Sequence, residues 1–310
     1  MRRSLAFSTV VVLLIAAGLP IYFLIRASTP PRAESSTIAS TTTALDHSTG
    51  FYLDIGASAS LGTQPNGIPA HNGHRTKTGY SNDVVALERH HGMSLVMREI
   101  GCPGETVQRI LGQLKDACYK LPTTQLSIAT EYLRAHQGEI GVVTIDLGFN
   151  NIRPCLARTV TIETCVNAGV TAVRQYLPSI VNQLQHAAGP LVHFVGLEYS
   201  DPFLAYYLDG PSGRVIAQQG LVAMNSMNAA LGAVYRASSV PIANVPGLFD
   251  SQSTRPATMA HVGVVPQNVA RACAGSWMCT SPPFGPDDHP NNVGYMIIAR
   301  AITATLPTTW

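Results

Sequence analysis

The sequence predicts one α/β domain built on a mainly parallel, five-stranded sheet. Short apolar, β-branched runs bounded by Gly or Pro alternate along the chain with helix-like stretches. Because these runs are continuously apolar, they are typical of strands in a sheet that is covered on both faces. The strands are predicted at residues 51–55, 94–100, 142–147, 191–197 and 241–245, and the helices at 105–117, 125–136, 166–187, 221–237 and 290–305.

The composition indicates a folded protein that works outside the cytosol. Hydrophobic residues make up 46% of the 310 positions, which excludes disorder for most of the chain. Charged residues make up 12%, about half the usual ~25%, and Ser, Thr, Asn and Gln supply the polar surface instead. The net charge is +2 and no basic run follows the first three residues, so nucleic acid is not expected as a main partner.

The first 26 residues are predicted to form a membrane anchor. Residues 4–25 are uncharged and mostly apolar, and a helix of that length spans ~30 Å, the thickness of a bilayer core. Arg2 and Arg3 favour a cytoplasmic N-terminus and export of the remainder. The alternative is a cleaved signal peptide and a secreted protein, although the apolar core of such a peptide is usually only ~7–15 residues long. Residues 27–50 are predicted to be a Ser/Thr/Pro-rich linker and residues 51–310 the folded domain.

The cysteines agree with export. Their even number and short separations favour three local disulfides, although six cysteines allow ~15 connectivities. A zinc site is the alternative, but no two cysteines have the close spacing of a zinc knuckle. The pairs predicted in chain order are Cys102–Cys118, Cys155–Cys165 and Cys273–Cys279.

Four segments near the predicted carboxyl ends of strands, or just before the last helix, carry groups suited to chemistry. Ser58 follows the first strand, Gly104 the second and Asn150 the third, while His289 precedes the last helix. Taken singly, each is also explained by a turn or a cap. In open α/β sheets, however, ligands bind outside the carboxyl ends of the strands. There a glycine lets backbone approach a ligand, and an asparagine supplies an N–H donor.

Taken in order, these segments resemble the SGNH (GDSL-type) hydrolase family. The shared pattern is Gly-x-Ser, then a glycine, then Gly-x-Asn, then an Asp and His before the last helix, and it extends from about Phe51 to Ile302. Segments 101–106, 199–204 and 273–279 are similar to a secreted bacterial branch that usually carries three local disulfides. The resemblance implies a three-layer, flavodoxin-like fold. It also implies a serine esterase or lipase that uses no metal or organic cofactor.

The resemblance also assigns roles to individual residues. Ser58 matches the nucleophile and His289 the general base. The oxyanion hole would consist of the Ser58 N–H, the Gly104 N–H and the side-chain amide of Asn150. These roles are chemically sound, because a serine hydroxyl needs an adjacent imidazole to take its proton and the tetrahedral intermediate needs preorganised donors.

Two positions depart from the family pattern. Ala57 replaces the aspartate of Gly-Asp-Ser, and Pro286 occupies the position of the triad aspartate, three residues before the histidine. Asp287 is therefore the first candidate to orient the imidazole, Asp288 the second, and the backbone carbonyl of Pro286 the third.

Two other functions fit the same pattern. One is a non-catalytic module that binds a glycan or lipid head group, suggested by Ala57 and the displaced aspartate. The other is an acyltransferase acting on cell-envelope glycans. The substrate class, in each case, is a small-molecule, lipid or glycan ester or a related group, and the acyl length, the alcohol part and the oligomeric state are left open by the sequence.

Overall fold

A computed structural model describes residues 48–68, 73–156 and 162–310. The predicted anchor, residues 1–26, and most of the predicted linker, residues 27–50, lie outside this part of the chain. Within residues 48–68, 73–156 and 162–310, no helix is both long enough and apolar enough to cross a bilayer. The first strand begins at Ser48, three residues before its predicted start.

The elements alternate between strand and helix through most of the chain. The strands of the main sheet are β1 (Ser48–Gly56), β2 (Met93–Glu99), β3 (Ile140–Asp146), β4 (Val192–Leu197) and β5 (Ile242–Ala243). The longer helices are α1 (Tyr80–His90), α2 (Gln125–Ala135), α3 (Phe149–Leu156), α4 (Ile162–Ala187), α5 (Gly210–Ala237), α7 (Gln267–Gly275) and α8 (Asn292–Thr303), with a short α6 (Val245–Leu248). A 3₁₀ helix at Pro202–Asp209 and a hairpin of β6 (Pro256–Met259) and β7 (Gly263–Pro266) complete the described elements.

The main sheet has the strand order β2-β1-β3-β4-β5, and every pairing is parallel. The predicted mainly parallel five-stranded sheet is therefore confirmed. β1 pairs with both β2 and β3, so its carboxyl end lies between the carboxyl ends of those two strands. In the register of β1 and β3, Gly56 lies opposite Asp146, which brings the segments that follow these two strands together.

Both faces of the sheet are covered by helices. Alternate β1 side chains such as Phe51 and Leu53 pack in a core with α2, α4 and α5, whereas Tyr52 packs on the opposite face with α1 and α8. All three of these side chains are buried. This arrangement explains why the strands appear in the sequence as continuous apolar runs, since residues of either parity face a core.

The predicted helix at residues 105–117 is wrong. The segment forms turns, and Gly112 adopts φ +73°, a left-handed conformation that ends any regular helix. A straight helix over this range would be roughly 18–20 Å long. The flanking Cys102 and Cys118 are instead disulfide-bonded with their Cα atoms 5.9 Å apart. The covalent link therefore requires the segment to fold back on itself.

The other four predicted helices are present, with shifted ends. α2 begins at a capping box. The Thr124 side chain accepts the backbone N–H of Ser127, and the Ser127 hydroxyl accepts the backbone N–H of Thr124. α8 begins at Asn292, because the side chain of Asn291 accepts hydrogen bonds from the N–H groups of Val293 and Gly294. Helices α1, α3 and α7 were not predicted.

The three predicted disulfides are confirmed: Cys102–Cys118, Cys155–Cys165 and Cys273–Cys279. Each closes a short loop. The first encloses Gly104, and the third lies in the segment that leads to His289. The first bond therefore restrains a loop that carries a candidate site residue.

Candidate active site

The four segments singled out in the sequence converge on one cavity of about 320 Å³ at the carboxyl ends of the strands. Ser58 comes from the loop after β1, Gly104 from the loop after β2, Asn150 from the start of α3, and His289 from the segment before α8. These four residues line the cavity together. The structure therefore brings together the four segments that the sequence analysis singled out.

The turn that carries Ser58 is fixed by hydrogen bonds from several directions. The Ser58 carbonyl accepts the N–H groups of Leu61 (3.2 Å) and Thr63 (3.1 Å). At the preceding Gly56, the buried side chain of Gln125 accepts the backbone N–H (2.9 Å) and donates to the carbonyl (3.0 Å). Glycine is needed at 56, because a Cβ there would lie 2.7 Å from the Asp146 Cβ.

Further contacts support the turn at Ala57, the position at which the pattern noted in the sequence has aspartate. The Ala57 carbonyl accepts a hydrogen bond from the buried Ser60 hydroxyl, 2.8 Å away. Ser60 and Gln125 therefore support the turn, so that no carboxylate is required at position 57 to hold it.

His289 lies between the Ser58 hydroxyl and a carboxylate. Its Nε2 atom is 2.8 Å from Ser58 Oγ, and its Nδ1 atom is 2.7 Å from Asp287 Oδ1. The same Asp287 oxygen accepts the backbone N–H of His289 at 2.9 Å. The imidazole is buried, with 8% of the residue exposed, so its orientation is closely restrained.

The carboxylate at His289 Nδ1 is the first of the three sequence candidates. Asp288 Oδ1 lies 3.9 Å from Nδ1, beyond hydrogen-bond distance, and the Asp288 carboxylate is paired with Arg153 instead. Burial raises the pKa of Asp287, but the hydrogen bonds from the His289 side chain and backbone outweigh it, and the pKa lies below its ordinary value of 3.8. Asp287 is therefore ionised at neutral pH, when it can accept but not donate.

Gly104 and Asn150 line the same cavity as Ser58, in segments that are joined to each other. Gly104 has φ +77°, which favours glycine, and its carbonyl accepts a hydrogen bond from Arg109 (2.6 Å). Asn151 accepts the backbone N–H of Val107 (3.3 Å) and donates to Gln108 (2.8 Å). Asn151 therefore fastens the start of α3, and with it Asn150, to the loop that carries Gly104.

A pair of buried aspartates beneath the cavity was missed by the sequence analysis. The Tyr80 hydroxyl is within hydrogen-bond distance of both Asp54 in β1 (3.1 Å) and Asp146 at the end of β3 (3.2 Å), and its single hydrogen can be donated to either carboxyl group. Tyr199 also donates to Asp146 (2.7 Å), and Asp146 lines the cavity. The sequence contains a signal that could have identified Asp54, because this residue is the one ionisable carboxyl group within the apolar predicted strand at residues 51–55.

The surroundings of Asp54 can accommodate a protonated carboxyl group. The Ser81 hydroxyl is within hydrogen-bond distance of the Ser60 carbonyl (2.8 Å) and of Asp54 Oδ2. A hydroxyl has one hydrogen, so a protonated Asp54 can donate to Ser81 while Ser81 donates to the Ser60 carbonyl. Burial raises the pKa of Asp54 to about 8, with the nearby Asp146 adding to the effect and the hydrogen bonds opposing it. Burial also raises the pKa of Asp146, to about 6, against the hydrogen bonds from Tyr199 and Tyr80.

Glu105, immediately after Gly104, is a third buried carboxyl group at the cavity wall. Burial, together with the hydrogen bond and the charge of Asp116, raises its pKa to about 8, and Glu105 lines the cavity. Its Oε2 accepts from Gln125 at 3.2 Å, the residue that holds Gly56. Glu105 thus connects the loop of Gly104 to the turn of Ser58.

Among the residues that the structure describes, two clusters have enough ligand atoms for a metal ion. In the first, Asp287 and His289 bind each other and Asp288 binds Arg153. In the second, Cys102 and Cys118 beside Asp116 form a disulfide, so their sulfurs are not thiolates. The ring nitrogens of His289 and the sulfurs of Cys102 and Cys118 are therefore already engaged within the protein.

The remaining walls of the cavity differ in chemistry. One wall consists of buried apolar side chains from the ends of β4 and the helices that follow: Leu197, Val245, Phe249, Ala272 and Ile298. Asp201 and Pro202, at the start of the 3₁₀ helix, also line the cavity, and Asp201 caps that helix by accepting the Phe203 N–H (2.9 Å).

Comparisons with known proteins agree with this architecture. A phospholipase A1 from Streptomyces albidoflavus NA297 has a TM-score of 0.51 and 16% identity, over 83% of this chain and 99% of that protein. An extracellular lipase from Streptomyces rimosus has a TM-score of 0.52 and 17% identity, over 84% of this chain and 100% of that protein. The chain has the SGNH hydrolase fold.

The SGNH likeness is one of three-dimensional structure. No family model matches the sequence, and the curated proteins include no match to it. The resemblance noted in the sequence is therefore confined to short motifs, which is expected at 16–17% identity. The confirmed points are the fold and the three disulfides, whereas the roles of the individual residues are proposals.

Proposed function

We propose that this chain is an exported carboxylic ester hydrolase that forms an acyl-enzyme on Ser58. The observation that carries the proposal is the unbroken line of short contacts from Ser58 Oγ through both nitrogens of His289 to Asp287, at 2.8 and 2.7 Å. Ser58 and His289 line the cavity, which is large enough for a small substrate. The same three groups, in this order, activate a hydroxyl nucleophile on several unrelated folds.

In the proposed mechanism, the ionised Asp287 accepts the Nδ1–H of His289 and leaves Nε2 free to accept a proton. As Ser58 Oγ attacks the ester carbonyl carbon, its proton moves to Nε2. When the tetrahedral intermediate collapses, the bond to the alcohol oxygen breaks and this proton passes to the leaving oxygen. Water then attacks the acyl-enzyme with the same proton transfers, which releases the carboxylic acid and regenerates Ser58.

The negative oxygen of the intermediate would be stabilised by the Ser58 N–H, the Gly104 N–H and the Asn150 amide. Three features support this assignment: all three residues line the cavity, Gly104 has a conformation that favours glycine, and Asn151 fixes Asn150 relative to the Gly104 loop. Donors held rigidly before the reaction are effective because they need no reorganisation as charge develops.

We further propose that the substrate has an apolar acyl group. The buried apolar wall formed by Leu197, Val245, Phe249, Ala272 and Ile298 supports this, because an acyl chain against it would remove apolar surface from water. The structural neighbours, a phospholipase A1 and an extracellular lipase, also support acyl esters and export. Three disulfides favour an oxidising compartment; attachment to a membrane through residues 1–26 remains a prediction from the sequence.

The direct test is hydrolysis of a short-chain p-nitrophenyl ester by the full-length chain. We expect Ser58→Ala to reduce the rate to background, while Ser212→Ala, an exposed serine of α5, retains the parent rate. Release of the free acid measures hydrolysis, and a sugar acceptor added in parallel measures acyl transfer. Equal rates for the parent and Ser58→Ala would refute the proposal, and preferential transfer to the sugar would favour the acyltransferase.

A further inference from the structure

Arg153 and Asp288 form an ion pair across the cavity that the proposed mechanism does not use. The Arg153 guanidinium donates to both oxygens of the Asp288 carboxylate, from Nη2 to Oδ1 at 3.0 Å and from Nε to Oδ2. Both residues line the cavity, and the Asp288 side chain is buried, with 7% exposed. Two parallel hydrogen bonds fix the orientation of a carboxylate more strictly than one does.

The pair joins the two halves of the candidate site. Arg153 lies three residues after Asn150, on the next turn of α3 and therefore on the same side of the helix. Asp288 directly precedes His289. The pair is thus the contact that links the helix of the proposed oxyanion donor to the segment of the proposed general base, which are far apart in the sequence.

The pair also balances the charge next to the imidazole. Asp288 Oδ1 lies 3.9 Å from His289 Nδ1, so an unpaired Asp288 would place a second negative charge beside a ring that already contacts Asp287. Two carboxylates would stabilise the protonated imidazole, which cannot act as a base. The positive charge of Arg153 offsets the negative charge of Asp288. The hydrogen bonds to Asp288 raise the pKa of Arg153, which is consistent with a strong pairing.

Other ionisable groups also face this region. Asp146, Glu105, Glu198 and Asp201 line the cavity, as does the guanidinium of Arg109. Burial raises the pKa values of Tyr206, from the 3₁₀ helix, and Tyr295, from α8, and the charge of Asp288 adds to the effect at both phenols. None of these groups lies between Arg153 and Asp288, so their charges form a common background for all variants of the pair.

We propose that Arg153 is a positioning residue for the ester hydrolase. Through its two hydrogen bonds to Asp288, it fixes the position of His289 relative to Asn150 and offsets the Asp288 charge beside the imidazole. This inference rests on the proposed function. A contribution to stability alone would leave the acid limb of the pH–rate profile in place, so the position of that limb separates the two roles.

The experiment measures the pH dependence of kcat and kcat/KM for a p-nitrophenyl ester in the full-length chain. In Arg153→Met, we expect plateau kcat to fall roughly tenfold and the acid limb to move to higher pH by roughly 0.5–1 unit, since an unpaired charge lies within ~4 Å of the ring. In Asp288→Asn, the unpaired Arg153 should move the acid limb to lower pH. The double variant should return the limb to the parent position, because both charges are then absent.

One further variant separates the effect of the paired hydrogen bonds from the effect of the charge, and another serves as a control. Arg153→Lys keeps the charge but not the paired hydrogen bonds, so it should retain the acid limb while losing part of kcat. Arg174→Met, at an exposed arginine of α4 that has no ion pair among the described residues, should match the parent. Thermal unfolding of each variant shows whether a loss of fold contributes.

An acid limb that stays in place in Arg153→Met and in Asp288→Asn, in a chain whose turnover depends on Ser58, overturns this inference and leaves the proposed function intact. If Arg153→Met does not fold, the inference depends on Asp288→Asn, whose acid limb must then move to lower pH. Absence of Ser58-dependent turnover in the parent chain instead refutes the proposed function, so the two failures are distinguishable.

Discussion

Asp54 offers a quantitative test of the buried carboxyl network. The residue is fully buried in β1, and the raised pKa of about 8 compares with 3.8 for an exposed aspartate. A group whose pKa is raised by folding contributes its stability fully below the unfolded value. That contribution is lost as pH rises toward the folded value. The protein should therefore lose stability through Asp54 between about pH 4 and pH 8.

The magnitude follows from the size of the pKa change. At ~1.4 kcal/mol per pH unit, the loss is ~2 kcal/mol at pH 5 and on the order of 6 kcal/mol at pH 8, as an upper limit. The side chain in Asp54→Asn cannot ionise, so this variant does not lose unfolding free energy at this position as pH rises. Its amide can donate to Ser81, as the protonated carboxyl does, while its oxygen accepts from Tyr80 and Thr144. Relative to the parent, the variant should gain on the order of 4 kcal/mol in unfolding free energy between pH 5 and pH 8.

Urea unfolding followed by the fluorescence of Trp277 and Trp310 measures this difference at both pH values. Glu131→Gln, which removes an exposed carboxylate on α2, is the matched control and should show no such gain. If the difference between Asp54→Asn and the parent is the same at pH 5 and pH 8, or reverses in sign, Asp54 is not held protonated by burial and the reasoning fails.

Two further predictions concern the proposed chemistry. Asp287→Asn should lower kcat by ~10³–10⁴, because the amide can donate to Nδ1 of His289 and stabilise the tautomer that cannot accept the Ser58 proton. Asp288→Asn should lower plateau kcat less than tenfold, so a similar loss in both variants would contradict the assignment of Asp287. Asn150→Ala should lower kcat by ~10²–10³ with a smaller change in KM. Steady-state kinetics at the pH optimum measure kcat and KM for all three variants. An unchanged kcat in Asn150→Ala would exclude the Asn150 amide as an oxyanion donor.

The fold could be predicted because its signals are local. Continuous apolar runs such as residues 142–147 require burial on both faces, and that requirement holds whatever the rest of the chain does. The failure at residues 105–117 has the opposite cause. That segment has a helical pattern, but the Cys102–Cys118 bond and the left-handed Gly112 override it, and neither constraint appears in the local periodicity.

The candidate site was predictable in part for a similar reason. Ser58, Gly104, Asn150 and His289 follow strands or precede the last helix, and the topology of a parallel sheet brings such positions to one edge. The choice of Asp287 over Asp288 and the Pro286 carbonyl was not predictable with certainty. It depends on the direction in which adjacent side chains point within one loop.

By itself, the sequence determined a parallel α/β domain, three local disulfides and the set of segments that carry the polar groups. Apolar patterning, cysteine spacing and turn residues are properties of short segments, so they can be recognised without coordinates. The tertiary structure decided which aspartate contacts His289, that Arg153 forms an ion pair with Asp288, and that Asp54 is buried beside Asp146. Those outcomes depend on the distances and solvent exposure of groups far apart in the chain, and these physical quantities exist only once the chain is folded.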